Sequence, residues 1–201
     1  MRRIWRTAGI GMLGVAVGVA GLALVARPAD AARPLARATL LDTSGAVIGT
    51  VVIKGHGAHA TQVAVDLTAA GAPNLRDFHG FHIHTTGVCD PLPSGATNVP
   101  FGSSGGHWNP GATSHGAHAG DLPSLHLNAD GSASAVFDID RFEISQLADG
   151  DGSAVVLHAG RDNFANIPAS YASGGVPGPN AATIGAGDAG GRYACGVVRL
   201  V

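Results

Sequence analysis

Lysine is almost missing from this 201-residue chain: Lys54 is its single example, and charged residues of all kinds reach only 13%. Setting aside the first 31 residues removes four Arg and one Asp. Eight basic and thirteen acidic residues remain, a net charge of −5 with His neutral. Such a balance excludes a nucleic-acid partner, which needs a basic face. Helical periodicity is nearly absent as well. With 31 Gly and 11 Pro, the composition points to a stiff, loop-rich body built on strands. Cysteine is limited to Cys89 and Cys195. In an exported chain an even count reads as a disulfide, with two buried free thiols as the competing reading. Bridged, the pair would stabilise the fold by up to ~4–5 kcal/mol through loop entropy.

The beginning of the chain carries what the rest lacks. Arg2, Arg3 and Arg6 precede an apolar run from Ala8 to Ala26, and Ala29-Asp30-Ala31 has the small-x-small form of a cleavage site. This predicts a secretory signal over 1–31 and one mature domain over 32–201. An uncleaved membrane anchor is the alternative reading of the same run. Arg2-Arg3 is a weak hint of twin-arginine export. No cysteine stands near the cleavage site to accept a lipid. After cleavage the expected protein is secreted or periplasmic and free of the membrane.

Short β-rich runs fill the remainder: Ala38–Leu41, Val47–Ile53, Gln62–Leu67, Phe78–Thr85, Leu125–Leu127, Ser134–Ile139, Ala154–His158 and Tyr193–Leu200. Asp42-Thr43-Ser44-Gly45 and Asn128-Ala129-Asp130-Gly131 read as hairpin turns between neighbouring runs. About eight strands with long connections predict an all-β, eight-stranded Greek-key barrel or sandwich. Two stretches, 87–123 and 159–191, show no strand pattern. Loops of that length are uncommon unless functional or pinned.

Ten histidines are far more than packing needs, and their spacing matters. In His82-Ile83-His84 the two imidazoles lie at i and i+2 on a strand. They project from one face about 6.6 Å apart at Cα, close enough to converge on a metal. His107, His115, His118 and Asp121 place three imidazoles and a carboxylate within 15 residues, a donor set suited to tetrahedral zinc. His158 ends the apolar run Val155-Val156-Leu157. His56 and His59 read as an exposed turn, with a weak accessory metal site as the sharper alternative. His79 is expected to pack or hydrogen-bond at a strand start, and His126, between Leu125 and Leu127, to face solvent.

Together these segments resemble the copper,zinc superoxide dismutase family. Gly80-Phe81-His82-Ile83-His84-x-x-Gly87-x-Cys89 is similar to its first signature. His107-Trp108-Asn109-Pro110, His115 and His118-Ala119-Gly120-Asp121-Leu122-Pro123 resemble its zinc loop. His158 followed by Asp162 resembles the last copper ligand and its supporting carboxylate. The run Gly187-Asp188-Ala189-Gly190-Gly191-Arg192-Tyr193-Ala194-Cys195-Gly196-Val197 resembles the C-terminal signature. Asp162-Asn163-Phe164-Ala165-Asn166-Ile167-Pro168 is similar to exported bacterial members. The likeness runs in order from about Ala38 to the C-terminus.

The resemblance implies copper on His82, His84, His107 and His158, and zinc on His107, His115, His118 and Asp121, with His107 bridging both. It implies that Asp162 links His82 to His115 and that Arg192 attracts and orients the anionic substrate, superoxide. It also implies that Cys89 and Cys195 pin the first long loop to the last strand. The implied activity is dismutation of superoxide to dioxygen and hydrogen peroxide, an antioxidant role outside the cytoplasm. An exported copper- and zinc-binding protein of the same fold without turnover is the alternative. Two departures stand out: only two residues separate His115 from His118, and Trp108 replaces the more usual Phe or Tyr. The second long loop is also poor in charge. No decisive apolar patch marks a dimer surface, and a homodimer stays open.

Overall fold

The computed structural model describes residues 35–57, 60–68 and 75–201. The signal expected over 1–31 and His59 lie outside these residues. In chain order β1 (Leu35–Asp42), β2 (Val47–His56) and β3 (Ala60–Leu67) form an antiparallel meander. The first turn closes as expected. Asp42 Oδ1 accepts from the amides of Ser44 and Ala46, and Gly45 takes φ +84°, a region that favours glycine.

The run expected at Phe78–Thr85 is two strands, β4 (Asp77–His79) and β5 (Phe81–His84), broken at Gly80. The break is packed as well as hydrogen-bonded. Gly80 N–H donates to Gly160 O at 3.0 Å, while a Cβ there would come within 2.7 Å of Ala189 Cβ. The first long loop holds the two-residue strands β6 (Pro93–Ser94) and β7 (Val99–Pro100). Then follow β8 (Leu125–Leu127), β9 (Ala133–Ile139) and β10 (Ala154–His158). The second long loop carries β11 (Ala172–Ser173), β12 (Val176–Pro177) and a short helix, α1 (Ala181–Ala186). Asn180 caps α1 by accepting from the amides of Ala182 and Thr183, and Gly187 ends it at φ +61°. β13 (Arg192–Val197) and β14 (Arg199–Leu200) finish the chain. They part at Val198, whose amide turns to Ser153 O.

The main sheet runs β5-β10-β13-β1-β2-β3-β9, with β14 also on β1. Its curled antiparallel course agrees with the all-β expectation. The second hairpin differs. Its turn forms, with Asn128 N–H on Ser132 O at 2.8 Å, but the strands then separate. β8 pairs with β4 and β9 with β3, because β3 offers β9 a full seven-residue register.

Period-two alternation decides what faces the core. Thr61, Val63, Val65 and Leu67 on β3 are buried with Leu40, Ile48, Val51 and Ile53. β5 and β10 are buried on both faces. Phe81, Ile83, Val155 and Leu157 belong to the main core. Ala154 and Val156 face the other way, into a small cluster with Phe101 and Cys195. His82, His84 and His158 share that outer side by the same alternation. The disulfide Cys89–Cys195, with Cα atoms 5.6 Å apart, pins the first long loop over this outer cluster.

Replacing both cysteines by serine is expected to lower the unfolding free energy of the metal-free chain by about 2–5 kcal/mol. Urea titration of parent and variant checks this, and coincident midpoints would contradict it.

Candidate metal centre

Two strands and two loops supply the site. β10 sets Ala154 opposite His84 and Val156 opposite His82, so the β5 imidazoles stand on the outer wall with His158. The other edge of β5 is taken by the first long loop. Trp108 N–H donates to Ile83 O and Ile83 N–H to Gly120 O, both at 2.8 Å. Isolated bridges pair His84 with His107 and His82 with Asp121. Backbone pairing along one short edge therefore brings the two histidine clusters together. Trp108 is buried, its ring edge-on to Phe142 at 5.9 Å.

One nitrogen of each wall imidazole is spoken for. Nε2 of His82 faces Asp162 Oδ2 at 2.8 Å, Nδ1 of His84 faces Gly105 O at 2.9 Å, and Nδ1 of His158 faces Gly190 O at 3.2 Å. The opposite nitrogens converge: His84 Nε2 and His158 Nε2 are 3.3 Å apart. His82 Nδ1 is buried with no hydrogen-bond partner. Ligand atoms of His82, His84, His107 and His158 all lie within 4.8 Å of one another. Such a set of mutually facing lone pairs fits a metal, since an unpaired buried nitrogen otherwise costs about 1–3 kcal/mol.

The second group surrounds Asp121. His107 Nδ1 lies 3.0 Å and His118 Nδ1 3.2 Å from its Oδ1, and His115 Nδ1 lies 3.3 Å from its Oδ2. His115 Nδ1 makes no aligned hydrogen bond and is the second orphan. His115 Nε2 meets Asp162 Oδ1 at 2.7 Å, so Asp162 touches His82 and His115 at once. The four residues whose ligand atoms lie within 4.8 Å of one another here are His82, His107, His115 and Asp121, and His118 joins through Asp121. Gly187 has no room for a side chain beside this link: a Cβ would lie 2.0 Å from Asp162 Oδ1.

Arg192 pairs with His158 across β10 and β13. Its guanidinium donates to Phe101 O, to Gly105 O at 2.6 Å and to Ser104 Oγ at 3.2 Å. Burial lowers its pKa. Gly105 O thus serves both Arg192 and His84.

His82, His84, His107, His115, His118, Asp121, His158, Asp162 and Arg192 converge here, whereas His56, half of the accessory site considered, does not join them. His79 is buried, with Nδ1 facing His158 O and Nε2 facing Arg76 O. His126 is exposed, edge-on to Phe78. His56 pairs with Asp138 at 2.8 Å on the surface. Two contributors had no sequence signal. Ser104 is a buried hydroxyl between Arg192 and His84. Arg141 reaches three carbonyls of the loop that carries His118 and Asp121.

Burial pushes the pKa of His82 down to about 4 and that of His158 to about 3, and holds His84 well below 6.5. These imidazoles are neutral at pH 7 and keep their lone pairs. Burial lowers His115 too, but hydrogen bonds and charges from Asp121 and Asp162 outweigh it and raise it to about 9. Both carboxylates are held far below their usual range. Burial raises them, and the surrounding histidines overcome it.

Comparison with known proteins agrees with this geometry. Residues 47–198 match the model of the copper/zinc superoxide dismutase (SODC) family. The chain is 41% identical over 179 residues to the Cu-Zn superoxide dismutase of Mycolicibacterium paratuberculosis, covering 86% of this chain and 78% of that one. It is 41% identical over 167 residues to that of Mycobacterium tuberculosis, covering 80% and 68%. The solved structure of Cu/Zn superoxide dismutase from Brucella abortus superposes with a TM-score of 0.58 at 26% identity, covering 82% of this chain and 99% of that one.

The shifted histidines give the metal-free protein a pH signature. His82, His84 and His158 bind fewer protons folded than unfolded. Their contribution is whole above about pH 6.5 and is lost as pH falls through about 4 and then 3. His115 acts oppositely: its contribution is whole below 6.5 and is lost as pH rises through about 9. Urea midpoints of the metal-free chain should fall on both sides of neutrality. A midpoint that is flat from pH 7 to 4 would sink the acid half of this account.

Proposed function

The chain belongs to the copper/zinc superoxide dismutase family, and on that premise we propose how its own residues divide the work. It is an oxidoreductase that converts two superoxide anions and two protons to dioxygen and hydrogen peroxide, with copper and zinc as cofactors. We assign His82, His84, His107 and His158 to copper and His107, His115, His118 and Asp121 to zinc. His82 stands geometrically near both sets. Its Nδ1 faces the same space as His84 Nε2 and His158 Nε2, which supports the copper assignment and leaves the fourth zinc place to His118. Copper supplies one-electron exchange in both directions, while zinc, which has no redox chemistry, supplies fixed positive charge.

Every remaining role falls to the chain. Asp162 accepts from Nε2 of His82 and of His115 and so turns Nδ1 of both rings inward; His82 offers a lone pair there, and His115 would offer one on giving up its Nδ1 proton to a bound cation. Asp121 orients His107 through Nδ1, which leaves Nε2 on the copper side. With copper taking an electron from one superoxide and returning it to the next, that Nε2 would hold a proton between the two halves and give it to the anion being reduced, a second proton coming from solvent. Arg192, immobilised by carbonyls on the first long loop, offers a fixed cation that binds and orients the diatomic anion.

We place this activity outside the cytoplasm. The leader pattern over 1–31 and the Cys89–Cys195 disulfide, which persists in oxidising compartments, support that placement. The observation that carries the whole assignment is the convergence of ligand atoms: those of His82, His84, His107 and His158 lie within 4.8 Å of one another, with His82 Nδ1 buried and without a hydrogen bond, and those of His107, His115 and Asp121 form the adjoining set.

Purified protein loaded with both metals should hold about one copper and one zinc per chain, and His107→Ala should lose about 10²-fold or more of its activity. Both metals bound with no turnover would favour the metal-binding alternative. Electrostatic steering should be weak. Arg161 is spent on Asp77 at 2.7 Å, Arg192 is pinned, and the chain has one lysine. Raising salt from about 0.01 to 0.2 M should lower kcat/KM only about two- to threefold. A steep log–log decline would refute it.

A further inference from the structure

Arg141 lies just after β9 and outside every ligand set. Its stem rises from the barrel rather than from the loop. The next residue, Phe142, is buried, packs edge-on against Trp108, and accepts at its carbonyl from Thr61 Oγ1 at 2.9 Å. From that fixed root Nη1 of Arg141 donates to the backbone carbonyls of Gly116 at 3.2 Å and His118 at 3.1 Å, and reaches Asp121 O at 3.5 Å. The same turn gives its amides to the inside. Gly116 N–H and His118 N–H donate to Asp121 Oδ2 at 2.7 and 3.0 Å. Residues 116–121 are therefore held between a carboxylate within and a guanidinium without.

That clamp suits an unusually short loop. With two residues between His115 and His118, the turn relies on Gly116 at φ +85°, packed so that a Cβ would sit 2.7 Å from Phe164 O. The turn has neutral ties of its own, Thr113 Oγ1 on Ala117 O at 2.8 Å and Asp121 N–H on His118 O at 3.1 Å, but Arg141 is the charged donor that reaches it from beyond the loop. Hydrogen bonds from a charged donor are about twice as strong as neutral ones. The two N–H groups of Nη1, turned to Gly116 O and His118 O with Asp121 O at the edge of reach, tie the turn to the barrel wall where His82 and His84 stand.

We propose that Arg141 is a positioning residue for the zinc side of the centre, holding His118 and Asp121 at the spacing that zinc requires. The inference rests on the assignment of zinc to His107, His115, His118 and Asp121. Its absence should loosen those ligands while leaving the copper wall of β5 and β10 untouched.

The test is zinc affinity by chelator competition on the full protein, with the visible spectrum of cobalt placed at the zinc side, for the parent, Arg141→Ala and Arg141→Lys. The expected result is folded, disulfide-bonded Arg141→Ala with zinc affinity reduced about tenfold. Its cobalt bands should be altered and its copper affinity kept. Arg141→Lys, which retains a cationic donor, should recover part of the loss. Parent-like zinc affinity and cobalt bands in Arg141→Ala would overturn the proposal. So would an equal weakening of copper, which would mark a general loss of structure. Should Arg141→Ala fail to fold, Arg141→Lys alone decides: its single ammonium should give an intermediate affinity, and a parent-like value would overturn the proposal. A parent protein that takes up no zinc would overturn the ligand assignment itself, a failure distinct from parent-like behaviour of the variants.

Discussion

Alternation along two buried strands governs the rest of the molecule. On β5 and β10 every second residue enters the main core, and the intervening ones face outward. The outward set would be an ordinary solvent face in most antiparallel sheets. Here it is roofed by the first long loop, so His82, His84 and His158 are buried without belonging to the core. A one-residue slip of register on β5 would send Phe81 and Ile83 to the roof and the imidazoles into the barrel. The same packing that stabilises the barrel therefore fixes the direction of the ligands.

The roof needs anchors because a loop of that length has little reason to stay in place. It has three kinds. Backbone bonds along the edge of β5 set His107 and Asp121 beside their partners. The Cys89–Cys195 bridge ties the loop to β13, and Phe101, near that bridge, meets Arg192 through its carbonyl. Finally, buried carboxylates meet the imidazoles. Asp121 and Asp162 are both deprotonated in a poorly solvated place, which is tolerable only because each accepts several hydrogen bonds.

Much of this was legible in the sequence, for physical reasons. Six of the eight runs lie within single strands and the other two are each split in two, and Val63, Val65 and Leu67 share a buried face, because period-two alternation is a direct print of the pleat. The site residues were readable through their spacing and their likeness to a known family. What stayed hidden was tertiary. The break at Gly80 depends on the close approach of Ala189, over a hundred residues away. The parting of β8 and β9 depends on competition between partners, which a turn motif does not encode. Helix α1 did carry local signals, Asn180 before it and Gly187 after it, but its six residues are too few to show a period. Arg141 acts through backbone carbonyls, whose positions leave no trace in residue type, and Ser104 matters only because folding buries its hydroxyl between Arg192 and His84.

Asp162 is shared between the two halves of the centre. One carboxylate with two oxygens serves His82 on one side and His115 on the other. Whatever orders either imidazole also orders Asp162, and through it the other. Both contacts are made by the chain alone, so the carboxylate is already ordered and neither side of the centre has to form it on its own. A disturbance of one imidazole would reach the other through a single rigid group rather than through a chain of loops.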